Sequence, residues 1–374
     1  MVNRKRVIEE FIELVSIDSE TGFERDIADY LIKKFTEFGL EVIEDNSIDK
    51  TGHGAGNIIA TLHSNDNENY SNIYFTAHMD TVVPGKNIKA IIKGDFIESE
   101  GATILGSDDK AGLAAMIEAI TVIKENGIPH GKVQFLITVG EESGLRGSKF
   151  LQKDLIEANY GFALDSNGPV GDIIVSAPTQ ARIETVVYGK SAHAGANPED
   201  GISAIQVASK AVAGMKLGRI DSETTANIGM FQGGKATNIV CDRVDIISEA
   251  RSINRDKLDR QIQHMKDVFE KTADDYSTNV DFTSVIMYPS FSFSEDHPLV
   301  CIAKKSVEAV GRKSELITSG GGSDANVMNG YGIPTINLGI GMDKIHTIDE
   351  RIAIQELVKT PELIIELVKN SKLN

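Results

Sequence analysis

Residues 132–144 read KVQFLITVGEESG. The run up to Val139 is rich in β-branched and aromatic residues and closes on a glycine, the pattern of a strand buried on both faces. Two glutamates, Glu141 and Glu142, follow at once. Adjacent carboxylates repel when desolvated, and a bound cation or a shared proton relieves that repulsion. A chain has little structural reason to end its most apolar strand this way, so the stretch predicts both a buried sheet and a functional site at its end.

Working outward, a second apolar run at 73–76 ends in Ala77-His78-Met79-Asp80, and a third at 160–164 ends at Asp165. Between the strand-like runs lie segments of helical spacing. Val7, Ile8, Phe11, Ile12, Leu14 and Val15 place a helix over 5–15; Ile27, Leu31, Ile32 and Phe35 place one over 22–38, where Thr21 and Glu24 match a capping box. Ala114, Met116, Ile117 and Ile120 mark a helix after Gly112, and another begins near Ser148. Strands alternating with helices predict an α/β fold, a mixed, mostly parallel sheet flanked by helices. In such sheets ligands sit at the carboxyl ends of strands, where His78, Glu141, Glu142 and Asp165 all fall.

The pattern changes near residue 176. Strand-like runs at 180–190, 224–232, 242–251 and 279–288 alternate with helical ones at 198–216 and 255–274. This β-α-β-β-α-β order predicts an inserted α+β domain with one open sheet face. After Pro289 the first pattern resumes, with a helix at 298–310, a Gly-rich loop at 320–322, a strand near 335–338 and a last helix at 350–370. The expected organisation is a discontinuous domain, 1–175 plus 290–374, with 176–289 inserted. The length of 374 residues agrees, being more than one core usually supports.

The remaining polar residues in apolar surroundings complete a constellation. On a strand, residues i and i+2 share a face, so Asp80 can accept from the ring nitrogen of His78 that faces away from a metal. Asp108 and Asp109 lie between glycines in GSDDKAG (106–112), and His346 ends GIGMDKIH (339–346). Two histidines, His78 and His346, with three carboxylates, Asp108, Glu142 and Asp165, suit two zinc ions that share one carboxylate. Two divalent ions, three carboxylates and a bridging hydroxide sum to zero charge, and a neutral cluster can be buried. Glu141, not needed as a ligand, fits a general base that takes the water's proton.

Composition limits the partners. The net charge of −17 repels nucleic-acid backbones and anionic membranes, and no run approaches the length of a membrane span. The N-terminus MVNRKRVIEEF has no apolar run of signal-peptide length, and Cys241 and Cys301 have no metal-type spacing. Two buried, reduced thiols and a cytoplasmic place are expected.

The segments HMDTVVPG (78–85), GSDDKAG (106–112), GEESG (140–144), ALDSNG (163–168), GKSAHAG (189–195), GGKATNIV (233–240), EARS (249–252) and GIGMDKIHT (339–347) span nearly the whole chain. In kind and order they resemble the dizinc exopeptidases that include tripeptidase T, glutamate carboxypeptidase and the aminoacylases. The resemblance implies His78 and Asp165 on one zinc, Glu142 and His346 on the other, and Asp108 bridging them. It also implies a cis peptide between Asp108 and Asp109, and Glu141 as base. The inserted domain becomes a lid or dimerisation domain, so a homodimer through it is a candidate assembly. His193 would approach the substrate carbonyl, and Asn238 and Arg251 would hold the substrate backbone or carboxylate. Within the family the chain is most similar to tripeptidase T-like members, with one departure. Gly320 stands where their loop carries an arginine, leaving Ser323 and Asp324 as polar candidates for substrate contact. The expected activity is zinc-dependent aminopeptidase action on short peptides, with cobalt or manganese as alternative ions. The alternatives are an N-acyl-amino-acid amidohydrolase, a carboxypeptidase and, more remotely, a non-catalytic binding protein.

Overall fold

A computed structural model describes residues 1–66 and 68–372. The chain divides into two compact units, one of residues 1–176, 293–318 and 323–374, the other of residues 177–292 and 319–322.

The first unit is built on a mixed sheet. Along it lie Glu41–Glu44, Ile58–Leu62, Val133–Thr138, Ile73–His78, Tyr160–Asn167, Thr335–Asp343, Arg351–Ala353, Phe96–Ser99 and Ala90–Lys93. The central four, from Val133–Thr138 to Thr335–Asp343, run parallel, and the flanking pairs are antiparallel. Burial explains why the apolar runs sit at the centre. Every residue of Ile73–His78 and Val133–Thr138 is buried, as a sheet covered on both faces requires. Phe135, Phe75 and Phe162 stand side by side on three adjacent strands, with ring centroids 6.0 and 5.7 Å apart, and Phe35 from the helix Arg25–Glu37 adds a fourth ring at 6.4 Å. Strand Tyr160–Asn167 runs on past Leu164, so Asp165 lies inside it.

The helix Ser107–Asn126 is buried on almost every side, as its many alanines allow. It packs against the helices Arg4–Ser16 and Ile354–Asn370. Its first turn is not helical: Asp108 is extended, with φ −85° and ψ 102°, and the Asp108–Asp109 peptide is cis. A side chain at Gly112 would come within 2.6 Å of Asp109 Oδ1 and 3.0 Å of the Leu164 carbonyl, which explains the glycine there. The capping box read at Thr21 and Glu24 does not form. The Thr21 hydroxyl donates to Asp80 instead, and Glu24 itself precedes the helix without capping it.

The second unit is an antiparallel sheet in the order Gly218–Arg219, Thr224–Gly233, Arg243–Ser252, Thr179–Tyr188, Val280–Tyr288. Alternation decides its faces. Ala181, Ile183, Val187, Val244, Ile246 and Ala250 turn inward against Val207, Ala211, Met265 and Phe269 of the helices Ala204–Gly214 and Arg255–Asp275. Their neighbours Arg182, Glu184 and Arg243 are exposed on the uncovered face. The first helix is shorter than its sequence pattern because Pro198–Asp200 forms a separate 3₁₀ turn ahead of it.

Both cysteines are free thiols; Cys241 is buried as expected, but Cys301 is exposed. Among the described residues, no helix is long and apolar enough to cross a membrane.

Candidate metal centre

Strand ends, the loops after them, the strand Tyr160–Asn167 and the entry to the helix Ser107–Asn126 bring the acids and imidazoles of the first unit together. His78 is the last residue of its strand and is buried. Its Nε2 lies 2.9 Å from Asp108 Oδ1 and 3.8 Å from Asp165 Oδ1. His346 approaches from the loop after Thr335–Asp343, its backbone in the left-handed region with φ 62°. A β-carbon makes that conformation costly, so the loop is held there by its surroundings. Its Nε2 lies 2.8 Å from Glu142 Oε1 and 3.2 Å from Asp108 Oδ2. The two oxygens of Asp108 are therefore divided between two imidazoles, and each imidazole has a second carboxylate beside it.

A ring nitrogen facing a carboxylate oxygen at such distances either donates a proton or shares a cation with it. The electrostatics of the chain's own groups favour positive charge at both imidazoles. Burial would lower the proton affinity of His78, but Asp108 and Asp80 raise it well above the ordinary imidazole value. Asp108 and Glu142 push His346 up to about 10. Burial and then the charge of Asp108 raise Asp165 well above the usual carboxylate range, and burial with Asp165 does the same to Glu141. So many carboxylates crowded in one buried place call for cations. The donor set fits divalent metal: His78, Asp108 and Glu142 bring ligand atoms within 4.8 Å of one another, as do His78, Asp109 and Asp165.

Neighbouring groups hold these side chains. Asp80 does sit behind His78, but the nearest acceptor for Nδ1 is the Asp80 backbone carbonyl at 2.9 Å, with the carboxylate at 3.5 Å. That carboxylate accepts from the backbone N–H groups of Glu141 and Glu142 at 3.0 and 3.3 Å and from the Thr21 hydroxyl, so it fixes the turn that carries both glutamates. Asp109 accepts from the backbone of His78 and of Gly112, both at 3.2 Å.

Sequence reading missed Glu350. Its buried carboxylate accepts from Leu105 N at 2.8 Å, Gly106 N at 2.9 Å, Ser107 Oγ at 2.6 Å and Asp108 N at 3.2 Å. It therefore organises the whole entry into the helix that presents Asp108. Nothing in HTIDERIAI distinguishes this acid from a surface one. Lys110, wholly buried, donates from Nζ to the Ile17 carbonyl at 2.6 Å, and burial brings its ammonium down to about 7 against the pull of Asp18 and Glu350.

Two expected substrate contacts of the first unit are otherwise employed. Asp324 is buried, and its oxygens accept from the hydroxyls of Thr138 and Ser148, both at 2.5 Å. Ser323 is buried too; it precedes the helix Asp324–Gly330 and accepts from Asn337 Nδ2 at 3.3 Å. Both side chains are tied into the scaffold.

The second unit carries His193, Asn238 and Arg251. His193 and Asn238 are neighbours, since the Ala194 N–H donates to the Asn238 carbonyl at 3.0 Å and His193 bridges to Ile239. His193 Nδ1 accepts from the backbone N–H groups of Gly195 and Ala196 at 3.1 and 3.0 Å, leaving Nε2 in solvent. Arg251, expected to hold the substrate, is engaged within the chain. Its fork closes on Glu249, two residues away on the same face of the strand, at 2.8 and 3.0 Å, and Nη1 reaches the Tyr288 hydroxyl and the Gly320 carbonyl, both at 3.4 Å.

Known proteins resemble this chain over nearly its whole length. Residues 74–370 match the model of peptidase family M20/M25/M40. A crystal structure described as aminopeptidase PepT from Bacillus cereus is 54% identical, with 99% of each chain covered and a TM-score of 0.93. One described as a tripeptidase from Staphylococcus aureus is 46% identical over the same shares, with a TM-score of 0.96. Peptidase T of Fusobacterium nucleatum is 26% identical over 93% of this chain and 91% of its own. A match over most of the chain, with acids and imidazoles gathered where the sheet ends, places the protein in the M20/M25/M40 family of metallopeptidases.

Proposed function

We propose that the protein is a di-zinc aminopeptidase that cleaves short peptides, tripeptides above all, with cobalt or manganese as the alternative ions. His78 and Asp165 would hold one ion, His346 and Glu142 the other, and Asp108 would join them. The observation that carries this reading is the division of the Asp108 carboxylate between two imidazoles. Ions bound there would supply an acidified water and polarisation of the scissile carbonyl.

The residues of the chain do the rest. Glu141 takes the water's proton and passes it to the leaving amine. Asp80 fixes its backbone, while among the described residues no hydrogen bond engages its carboxylate. His193 donates to the developing oxyanion. Two N–H groups pointing at Nδ1 require that nitrogen to be an acceptor, so the proton sits on Nε2 and faces outward. Asn238 is the first choice for the substrate backbone, because Nε and Nη2 of Arg251 already serve Glu249 and leave a substrate only Nη1. The inserted unit is assigned the role of lid or pairing surface for a second copy. Two free thiols support a place in a reducing cytoplasm. The substrate class is supported by the descriptions of the 54% and 46% identical structures as an aminopeptidase and a tripeptidase.

A panel of tripeptides, dipeptides and N-acyl amino acids tests this. The tripeptides are expected to lose their N-terminal residue, the activity to vanish on chelation and zinc to restore it. Glu141→Ala should bind metal yet lose about 10²- to 10⁴-fold in kcat. Cleavage of acylated substrates alone would make the protein an amidohydrolase. Metal binding without cleavage of any substrate would keep the centre and discard the substrate class.

A further inference from the structure

We propose that His53, backed by Glu24, is a positioning residue for the turn of residues 140–143, and so sets the aim of Glu141 and Glu142. The inference rests on the roles proposed above for those two glutamates.

Three observations converge on the ring. First, its Nδ1 lies 2.7 Å from Glu24 Oε1, and the Glu24 side chain is wholly buried. Glu24 is no helix cap; it accepts from the backbone N–H groups of Gly22 and Gly54, both at 2.8 Å, and from this imidazole. A carboxylate only accepts, so Nδ1 carries a proton and the ring orientation is fixed. Second, the opposite nitrogen, Nε2, lies 3.3 Å from Ser143 Oγ, whose one hydrogen is shared between that nitrogen and the Gly140 carbonyl at 3.1 Å. Third, the ring rests against Gly140. A β-carbon there would lie 2.2 Å from His53 Cε1, 2.7 Å from Nδ1 and 2.8 Å from Nε2, and the backbone at Gly140 has φ +56°.

The chain thus leaves its buried strand through a glycine that admits the His53 ring, turns over that ring, and is met by it again at Ser143. The two residues in between are Glu141 and Glu142. Asp80 holds the same two from their backbone N–H groups. Asp80 alone fixes where the turn lies; with His53 packed against it, the turn's direction is fixed as well. Side chains aimed by a packed and hydrogen-bonded support keep a reactive geometry that a loose turn does not.

His53→Gln and Ser143→Ala test the proposal. His53→Gln keeps a donor for Glu24 and removes the ring; Ser143→Ala leaves the Glu24 pair intact and removes only the polar hold on the turn. For each, kcat and KM on a tripeptide, the thermal midpoint, and zinc affinity of the metal-free protein by competition with a chelator are measured. The expected result for His53→Gln is a kcat lower by about tenfold to hundredfold with KM within about threefold. One of two zinc affinities should weaken by about tenfold or more, because Glu142 shares the turn. Ser143→Ala should move both quantities in the same direction by less, and decides the matter if His53→Gln does not fold. Values of kcat and both zinc affinities within about twofold of the parent in both variants would overturn the proposal, as would a loss of kcat that only matches loss of folded protein. If the parent cleaves no peptide, the proposed function fails, while the zinc titration, which needs no turnover, still decides the role of His53.

Discussion

Glu350 is the residue on which the proposed bridging ligand depends most. Four donors from residues 105–108 converge on its buried carboxylate, and Asp108 N–H is one of them. Glu350→Ala would leave those donors unpaired and free the loop that places Asp108 between two imidazoles. Metal affinity is expected to fall by about tenfold to hundredfold, checked by calorimetric titration of the metal-free protein with zinc. A titration matching the parent's would show that the helix entry holds itself. The contrast with the candidate ligands shows what a sequence conveys at this scale. His78, Glu142 and Asp165 are legible because each acid or imidazole follows an apolar run, where a polar side chain is out of place without a task. Glu350, His53 and Glu24 look like surface residues. Their tasks arise from partners as far off as the 245 positions that separate Leu105 from Glu350, which no local pattern reports. Arg251 and Asp324 differ in the opposite sense. Both look free in the sequence, and both are engaged by residues that folding brings to them.

Elements were legible in proportion to their length and burial. The long helices and the central strands carry enough apolar residues to show a period, so a mixed sheet flanked by helices could be read directly. The short strands Ala90–Lys93, Phe96–Ser99 and Arg351–Ala353 were not, since three or four residues, several of them exposed, hold no period. What holds the elements together also includes a buried ion pair that no pattern reveals. The Glu118 carboxylate in the helix Ser107–Asn126 is almost fully buried and meets the Arg6 guanidinium, with Nη2 at 2.8 Å, and the Asn3 N–H at 2.7 Å. It thereby fastens the helix Arg4–Ser16 to the one that starts at the metal centre. Arg6→Ala would leave that carboxylate with one donor. A loss of about 1–3 kcal/mol of stability is expected, read from urea unfolding curves. An unchanged midpoint would mean that water enters to replace the guanidinium.

For the whole molecule, the surplus of acid sets how substrates arrive. A net charge of −17 gives a field that draws cationic peptides and repels anionic ones, until salt screens it. At low ionic strength, kcat/KM for a lysine-bearing tripeptide is expected to exceed that for its glutamate-bearing counterpart, and the ratio should fall a few-fold as salt is raised. A ratio indifferent to salt would place the preference in short-range contacts alone. The sequence pattern changes near residue 176, and each of the two units has a core of its own. The proposed ligands, however, are spread along the first unit from His78 to His346, with the inserted unit between Asp165 and His346. That spacing sets an order in time. At ribosomal speeds of about 5–20 residues per second, roughly 10–40 s pass between synthesis of Asp165 and synthesis of His346. Throughout that interval the nascent chain holds one imidazole and three carboxylates of the set, and the second imidazole comes only after the inserted unit has been translated. With the proposed ligands, the pair of ions cannot be fully coordinated before His346 has been made, so the centre is completed at the end of the protein's synthesis or after it.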